Sequence, residues 1–211
     1  MHKIKKFVRQ VIEIWRHIGY KHISRKARLG KGVKVYNKNN LIMGENTNID
    51  AGALIMNTRA KFIMKHDTGA AIGLTVITGN HMPIVGIDFK HITDEIKEKY
   101  DPNHELDQDV IVDEEVWIGA NVTLLSGVHL NRGATVGAGS VVRTSIPPYA
   151  IVAGNPAKIV GFRFSPEEII EHEKALYPEE ERLPLELLEK NYYKYFISRI
   201  KEIKEYTRLS L

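Results

Sequence analysis

An aliphatic side chain returns every six residues along the segment from Val112 to Val142. The aliphatic positions are Val112, Ile118, Leu124, Leu130, Val136 and Val142, and small or β-branched residues follow four positions later, at Val116, Val122, Val128, Ala134, Ser140 and Ile146. A period of six fits neither an α-helix, which repeats after about 3.6 residues, nor a plain alternating strand. It predicts a chain that turns a corner every six residues, so that three short parallel strands form one coil of about 18 residues.

Glycine or asparagine occupies one position of each repeat. Gly127, Gly133 and Gly139 are spaced by six residues, and Asn121 stands one repeat before them. Both residue types tolerate a positive φ angle, which a tight corner often requires. We therefore expect turns with positive φ at these four positions.

The same period appears earlier in the chain, with an interruption. Met43, Ile49 and Ile55 are six residues apart, and Met64 resumes the period after a shift of three residues. The shift predicts an extra loop near 57–60.

A longer interruption separates His81 from Asp109, where the period stops. This segment is too long for a corner, and long loops in compact folds are often functional. The sequence therefore predicts a β-helix domain over 33–160 from which an excursion loop, 82–109, leaves.

Helical patterns flank the predicted β-helix. Residues 1–32 contain apolar residues at helical spacing opposite lysines and arginines, which predicts a short amphipathic helix followed by a basic connector. In 161–211, Ser165, Pro166 and Glu168 are typical of a helix N-terminus with a capping box, and a helical apolar pattern follows over about 185–206. The fold class predicted is mainly β, a parallel β-helix with an N-terminal helix and C-terminal helices.

Composition limits the classes of function. The chain has no cysteine, which excludes disulfides, thiolate metal sites and a thiol nucleophile. No apolar run is long enough for a membrane span or a signal peptide, so we expect a cytoplasmic protein. Residues 1–34 hold eleven Lys/Arg and one acid, which leaves 19 basic and 25 acidic residues in the remainder. This basic segment is expected to be a solvated surface, with weak contact to the inner membrane face as a further hypothesis and no nucleic acid as partner.

The motifs VWIGANV, VGAGSVV and AGNPAK, together with the repeats, resemble the hexapeptide-repeat acyltransferases over roughly 41–160. The tail GFRFSPEEIIEHE adds a similarity to sugar or polysaccharide O-acetyltransferases and to xenobiotic acetyltransferases. The resemblance implies a left-handed β-helix, a homotrimer with active sites between subunits, and acetyl-CoA as co-substrate. Asn131 departs from the glycine that the family often has there, but only at a corner.

A histidine near the start of the excursion loop is the candidate general base. Imidazole has a pKa near neutrality, which suits proton removal from an acceptor hydroxyl. His81, preceded by Thr78 in TVITGNHMP, matches the family's catalytic histidine. His91 and His104 in the loop are weaker candidates for substrate contact. The group that orients His81 stays open between Asp88, Asp94 and a backbone carbonyl.

The resemblance also assigns the remaining site residues. The backbone amide of Ala120 would stabilise the oxyanion, and Trp117 would line the acceptor or pantetheine channel, as would Thr78 on the acceptor side. Acetyl-CoA would contact Ala120 and Ala138 through backbone atoms, and Lys158 and Arg143 through their charges.

The sequence leaves three possible functions open. The acceptor is expected to be a sugar hydroxyl, on a saccharide or a polysaccharide precursor, but an antibiotic-like small molecule is the second candidate. A structural β-helix without activity is the third, because the fold alone does not fix function. A metal site of the carbonic-anhydrase type needs two histidines five apart within the repeats, and the only such pair, His17 and His22, precedes them. No metal is therefore expected.

Overall fold

The structure is a computed structural model that describes residues 18–207. The predicted N-terminal amphipathic helix lies almost entirely outside the described residues. The described chain forms a three-sided β-helix followed by helices, which confirms the predicted class of a parallel β-helix with C-terminal helices.

Three parallel sheets form the sides of the prism, with strands numbered in chain order. Sheet A contains β1 (His22–Ile23), β4 (Leu41–Met43), β7 (Phe62–Met64), β10 (Val110–Val112) and β13 (His129–Leu130). Sheet B contains β2 (Arg28–Leu29), β5 (Asn48–Ile49), β8 (Gly69–Ala70), β11 (Trp117–Ile118), β14 (Thr135–Val136), β16 (Ala150–Ala153) and β17 (Lys158–Phe162). Sheet C contains β3 (Lys34–Val35), β6 (Leu54–Met56), β9 (Thr75–Ile77), β12 (Thr123–Leu124) and β15 (Val141–Val142). All neighbouring strands pair in parallel except β17, which runs antiparallel to β16.

The residues of the six-residue period fill the interior of this prism. All six aliphatic positions from Val112 to Val142, and all six positions four residues later, are buried. Equivalent residues of successive coils stack at a spacing of about 4.8 Å, because they are neighbours in parallel strands. Both sets of side chains therefore face the interior of the prism.

The corners have the predicted backbone geometry. Gly127, Gly133 and Gly139 have φ angles of 75°, 70° and 72°, and Asn121 has a φ of 55°. Asparagine accommodates this left-handed conformation better than most residues with a side chain.

The first coil begins earlier than the predicted boundary at 33. Strands β1, β2 and β3 are the edge strands of sheets A, B and C, so the β-helix starts at His22. The period was present there too, since Ile23, Leu29 and Val35 are six residues apart. The many intervening cations led to the interpretation of this segment as a connector.

The excursion loop leaves the prism between sheets C and A, at what we call the C–A corner. It follows β9 and returns at β10, and it contains a β-bridge between Ile84 and Ile87, a 3-10 turn at Phe89–His91 and helix α1 (Asp94–Tyr100). The side chain of Thr93 caps α1 by accepting a hydrogen bond from the Ile96 amide at 3.4 Å. The corner between sheets B and C is called the B–C corner below.

Three helices follow β17: α2 (Pro166–Leu176), α3 (Leu185–Tyr195) and α4 (Ile200–Thr207). Ser165 and Glu168 form the predicted capping box at the start of α2. The apolar pattern that the sequence extends over 185–206 is divided by a 3-10 turn at Ile197–Arg199, which separates α3 from α4. Further 3-10 turns lie at Lys38–Asn40 and Glu179–Glu181.

A buried carboxylate attaches α2 to the β-helix. Glu173 is fully buried and accepts hydrogen bonds from the Tyr149 hydroxyl at 2.7 Å and from Arg132 Nη1 at 3.0 Å. The Leu183 amide donates to the same carboxylate at 3.0 Å. Burial and the adjacent Glu173 charge raise the pKa of Tyr149, so its hydroxyl stays protonated and available as a donor.

Candidate active site

His81 lies at the C–A corner, where the excursion loop leaves β9. Its side chain is exposed, and its ring packs edge-on against Phe89 with a centroid separation of 6.1 Å. Within residues 18–207 its imidazole forms no hydrogen bond or ion pair, so both ring nitrogens are open to a substrate. An accessible imidazole is the group that a general base at neutral pH requires.

A cavity of about 440 Å³ opens beside His81. Its apolar lining is formed by Met56, Ile77, Met82 and Ile92. Its polar lining includes Thr58, Arg59, Asn80, Asp94, Lys97 and Asp107. A cavity of this size and mixed character suits a small organic molecule with several polar groups.

An ion cluster closes the cavity on the side of α1. Asp107 is almost fully buried and accepts from Lys97 Nζ with both oxygens, at 2.6 and 2.7 Å. Arg59 Nη1 lies 3.3 Å from Asp107 Oδ2, while its Nη2 donates to Glu98 at 2.6 Å. Since Arg59 comes from the short connection between β6 and β7, the cluster joins one coil of the prism to the excursion loop.

Hydrogen bonds fix the two ends of the loop. The Ser126 hydroxyl donates to the Thr78 carbonyl at 2.9 Å and accepts from the Gln108 amide at 3.0 Å. Asn80 Nδ2 donates to the Leu106 carbonyl at 3.0 Å. The backbone that carries His81 is therefore tied to the next coil and to the returning strand of the loop.

Asp101 organises the turn after α1. Its carboxylate accepts from the amides of Glu105 at 2.8 Å and Leu106 at 3.1 Å. Desolvation alone would raise the pKa of Asp101, but these amide hydrogen bonds and the charge of Arg59 hold it below its ordinary value.

Thr78 lines the same cavity, and its hydroxyl also serves the fold. Its side chain is buried, and its hydroxyl donates to the carbonyls of Met56 at 3.3 Å and Ala60 at 3.2 Å. The hydroxyl thus satisfies backbone acceptors of the preceding coil. Contact of Thr78 with substrate stays a prediction.

The other candidate groups of the loop bind one another. His91 Nδ1 lies 2.6 Å from Asp88 Oδ2, and His104 Nε2 lies 3.1 Å from Glu98 Oε2. Asp88 is thus paired with His91, and neither it nor Asp94 bonds to His81 within the described chain. No orienting group for His81 is present in a single copy of residues 18–207.

The Ala120 amide lies at the B–C corner. Its residue precedes Asn121, whose φ is 55°, and its carbonyl accepts from the Gly139 amide at 2.8 Å. The amide of Ala120 itself donates to no acceptor within residues 18–207. The same holds for the amide of Ala138, which is one coil further along at the same corner.

Trp117 lies on the outer face of sheet B, with 51% of its surface exposed. Its indole packs over Gly69 of the neighbouring strand, where a Cβ atom would come within 2.8 Å of Trp117 Cζ3. The absence of a side chain at Gly69 therefore lets the indole lie close to the sheet.

The two predicted cations of the acetyl-CoA site lie in different places. Lys158 pairs with Ala153 across β16 and β17, next to the B–C corner, and its Nζ lies 5.3 Å from the Tyr206 ring centroid. Arg143 is exposed after β15, at the C–A corner. Lys158 therefore lies near the same corner as Ala120 and Ala138, further along the prism, whereas Arg143 lies at a different corner.

The predicted site therefore consists of two halves at opposite edges of sheet C. His81 and the cavity occupy the C–A corner, and the open amides occupy the B–C corner. One copy of the chain does not bring His81 together with Ala120 or Trp117. The sequence analysis did not identify Arg59, Lys97 or Asp107 as part of the site. The three-residue shift near 57–60 indicated a loop there, but it did not indicate that Arg59 of this loop forms ion pairs with residues of 94–107.

Comparison with known proteins identifies the repeat. Residues 109–144 match the family model described as bacterial transferase hexapeptide (six repeats). A protein of Lysinibacillus sphaericus named as a probable macrolide acetyltransferase is 37% identical over 109 residues, covering 52% of this chain and 56% of the relative. A protein of Escherichia coli K12 named as a lipopolysaccharide biosynthesis O-acetyl transferase is 51% identical over 51 residues, covering 24% of this chain and 26% of the relative.

A solved structure supports the fold. The maltose O-acetyltransferase of Clostridium difficile 630 superposes with a TM-score of 0.55 at 21% identity, covering 70% of this chain and 72% of that chain. The resemblance to hexapeptide-repeat acyltransferases is confirmed, as is the left-handed β-helix fold class. The chain spans little more than half of the first relative and about a quarter of the second.

Among residues 18–207, no three His, Asp or Glu side chains are grouped so that they could hold a metal ion. No helix in the same part of the chain is long and apolar enough to cross a membrane.

Proposed function

We propose that this hexapeptide-repeat protein is an acetyl-CoA-dependent O-acetyltransferase that acetylates a saccharide hydroxyl, with His81 as the general base. The observation that carries the proposal is the position of His81, an exposed imidazole that has no partner within residues 18–207 and lies at the rim of a 440 Å³ cavity. The names of the macrolide and lipopolysaccharide relatives support acetyl transfer, and the second of them supports a saccharide acceptor.

In the proposed reaction, the imidazole of His81 carries out both proton transfers. His81 takes the proton of the acceptor hydroxyl while the oxygen attacks the thioester carbonyl carbon, and a C–O bond forms. The carbonyl oxygen becomes an oxyanion, which accepts a hydrogen bond from the open Ala120 amide. The C–S bond then breaks, and the imidazolium of His81 returns the proton to the departing thiolate of coenzyme A.

The two halves of the site would meet between copies of the chain. Because His81 and Ala120 lie at opposite edges of sheet C, a homotrimer that places the C–A corner of one copy against the B–C corner of the next would join them. Acetyl-CoA would lie in that groove, against the Ala138 amide and towards Lys158. Arg143, on the other side of the groove, would face it from the neighbouring copy.

An antibiotic-like acceptor is the second candidate. It is favoured by the macrolide relative and by the apolar part of the cavity lining, which includes Met56, Ile77 and Met82. A saccharide would instead use the polar part, with Asn80 and Asp94 as hydrogen-bonding groups. Parallel assays with saccharides and macrolides distinguish the two acceptors.

The first experiment follows release of free thiol from acetyl-CoA with a panel of saccharides. We expect acceptor-dependent turnover that falls about 10²- to 10⁴-fold in His81→Ala, while coenzyme A binding is retained. His66→Ala, which removes an exposed histidine of the β-helix that does not line the cavity, serves as the matched control and keeps its activity. Unchanged turnover in His81→Ala would refute the base assignment, and absence of coenzyme A binding would favour a structural β-helix.

The second experiment removes one hydrogen-bond donor without removing a side chain. The position before a residue with φ of 55° in such a turn commonly accepts proline, and the Ala120 amide has no partner to lose within the described chain. We expect Ala120→Pro to fold normally and to lose about 10²- to 10³-fold in kcat, because the oxyanion donor is gone. Circular dichroism and thermal denaturation check the fold independently of activity.

A further inference from the structure

The end of the prism at which the β-helix begins carries a concentration of positive charge. Between residues 18 and 44 the chain has seven Lys/Arg and no Asp or Glu. All seven are exposed, and they are Lys21, Arg25, Lys26, Arg28, Lys31, Lys34 and Lys38. We call this set the basic end.

Most of these cations have no carboxylate partner. Lys26 pairs with Glu45 at 2.7 Å, and Lys38 donates to the Ile18 carbonyl at 3.1 Å and lies over the Tyr20 ring. The other five form no ion pair within residues 18–207. Five unpaired cations at one end of a small prism produce a local positive potential that favours an anionic partner.

The basic end is one end face of the prism and also contains apolar and aromatic surface. It is formed by the edge strands β1, β2 and β3 of the three sheets, so its groups share one plane across the prism. Tyr36 is 66% exposed and Ile18 is 57% exposed, and a hollow of about 510 Å³ nearby is lined in part by Leu29 and Val33.

The C-terminal helical segment carries the reverse net charge. β17, the last strand of sheet B, packs through Phe162 against Tyr192 of α3 at the far end of the prism, whereas α2 lies along the side, where His172 is 2.9 Å from Glu115. Residues 165–207 contain eleven acidic and seven basic residues, a net charge of −4. A negatively charged surface would therefore attract the basic end more strongly than the C-terminal helical segment.

We propose that the basic end docks on an anionic lipid bilayer, with the axis of the β-helix along the membrane normal. A bilayer fits better than a linear polyanion because it is planar and because its interface also accommodates tyrosine rings and aliphatic side chains. Clusters of lysine and arginine are attracted to anionic headgroups by about 1 kcal/mol each, which corresponds to about fivefold per cation.

Docking in this orientation has a consequence for the acceptor, which rests on the proposed function. His81 follows β9, in the third coil, and two coil spacings above the basic end amount to about 10 Å. The base would therefore lie close to the headgroup region. An acceptor saccharide attached to a lipid carrier would present its first hydroxyls at that height.

The test measures sedimentation of the full chain with lipid vesicles. Vesicles of phosphatidylcholine are compared with vesicles in which about one third of the lipid is phosphatidylglycerol, at low and at high salt. We expect binding only to the anionic vesicles, and loss of binding at high salt because the charges are screened.

Two triple variants of equal charge change decide where the binding lies. Arg28→Gln, Lys31→Gln and Lys34→Gln together are expected to lower the vesicle partition coefficient about 100-fold. The control variant combines Lys174→Gln, Lys190→Gln and Lys201→Gln, which are exposed positions of the C-terminal helices, and it binds like the unmodified protein.

Three outcomes would overturn the proposal: equal binding of the basic-end variant and the unmodified protein, an equal loss in both variants, or binding to heparin without binding to anionic vesicles. None of these measurements depends on acetyl transfer. Failure of membrane docking is therefore distinguishable from failure of the proposed function.

Discussion

Neutralising Asp107 should open the excursion loop without unfolding the prism. Asp107 has 2% of its side chain exposed, and its two cationic partners, Lys97 and Arg59, each have 12% exposed. Asp107→Asn keeps the shape of the side chain but leaves two largely buried cations without their shared counter-charge. Removing one member of a buried ion pair typically costs about 3–5 kcal/mol.

For Asp107→Asn, we expect the loss in the free energy of loop closure to lie at or below the lower limit of about 3 kcal/mol. Arg59 keeps its ion pair with Glu98 at 2.6 Å, and Lys97 can turn its ammonium towards solvent. We therefore expect about 2–3 kcal/mol, which is an increase of about 30- to 150-fold in the population of the open loop. Because these contacts join the loop to a single short connection, the loss should be local.

Limited proteolysis with trypsin measures this opening, since Lys90, Lys97 and Lys99 lie in the loop. Cleavage tracks the open population when reclosing is fast, so its rate should rise by the same factor while the urea midpoint of the whole protein changes little. Asp109→Asn is the matched control, because within residues 18–207 the Asp109 side chain accepts only from the Lys61 amide and can do so as an amide oxygen. Cleavage of Asp107→Asn at the rate of the unmodified protein, or an equal increase in Asp109→Asn, would refute the assignment.

Three further substitutions test other contacts. Glu173→Gln removes the fully buried one of the two carboxylates that pair with Arg132, the other being Glu114 at 3.4 Å, and we expect urea denaturation to show a loss of about 2–4 kcal/mol. Burial would raise the pKa of Asp113, but hydrogen bonds and charges of His129 and Lys65 hold this pKa below its ordinary value. The contribution of Asp113 to folding stability is therefore present above the unfolded pKa of about 3.9, and it is lost as pH falls through the folded pKa. Asp113→Asn should accordingly be less stable than the unmodified protein at pH 7 by urea denaturation, with the difference vanishing in strong acid. Gly69→Ala should displace the indole of Trp117, which a change in tryptophan fluorescence and a raised KM for acceptor or acetyl-CoA would detect.

The regular part of the fold was predictable because each repeat position has one physical requirement. An aliphatic residue at each repeat start fills the prism, and the residue four positions later must be small or β-branched to share that narrow interior. The corner position of Asn121, Gly127, Gly133 and Gly139 requires positive φ, which few residue types tolerate. These constraints are local, so a single sequence reveals them.

The irregular parts were less predictable because they depend on distant contacts. The lysines and arginines around Ile23, Leu29 and Val35 obscured a first coil whose core positions follow the same period. Within the excursion loop, α1 has a recognisable cap at Thr93, but its position is fixed by the ion pair of Lys97 with Asp107 and through it by Arg59. Nothing in the spacing of these charges indicates which of them pair.

The separation of His81 from Ala120 has the same origin and leads to a decisive mixing experiment. Each residue was identified by its own motif, yet the two lie at opposite edges of sheet C, so the proposed site requires two copies of the chain. If His81→Ala and Ala120→Pro are each inactive and are mixed after reversible dissociation, about one quarter of the sites in random oligomers would combine an intact His81 with an intact Ala120. Recovery of activity on mixing would support a site between copies. Lack of recovery, with mixed oligomers demonstrated by mass spectrometry, would mean that the base and the oxyanion donor do not belong to one site.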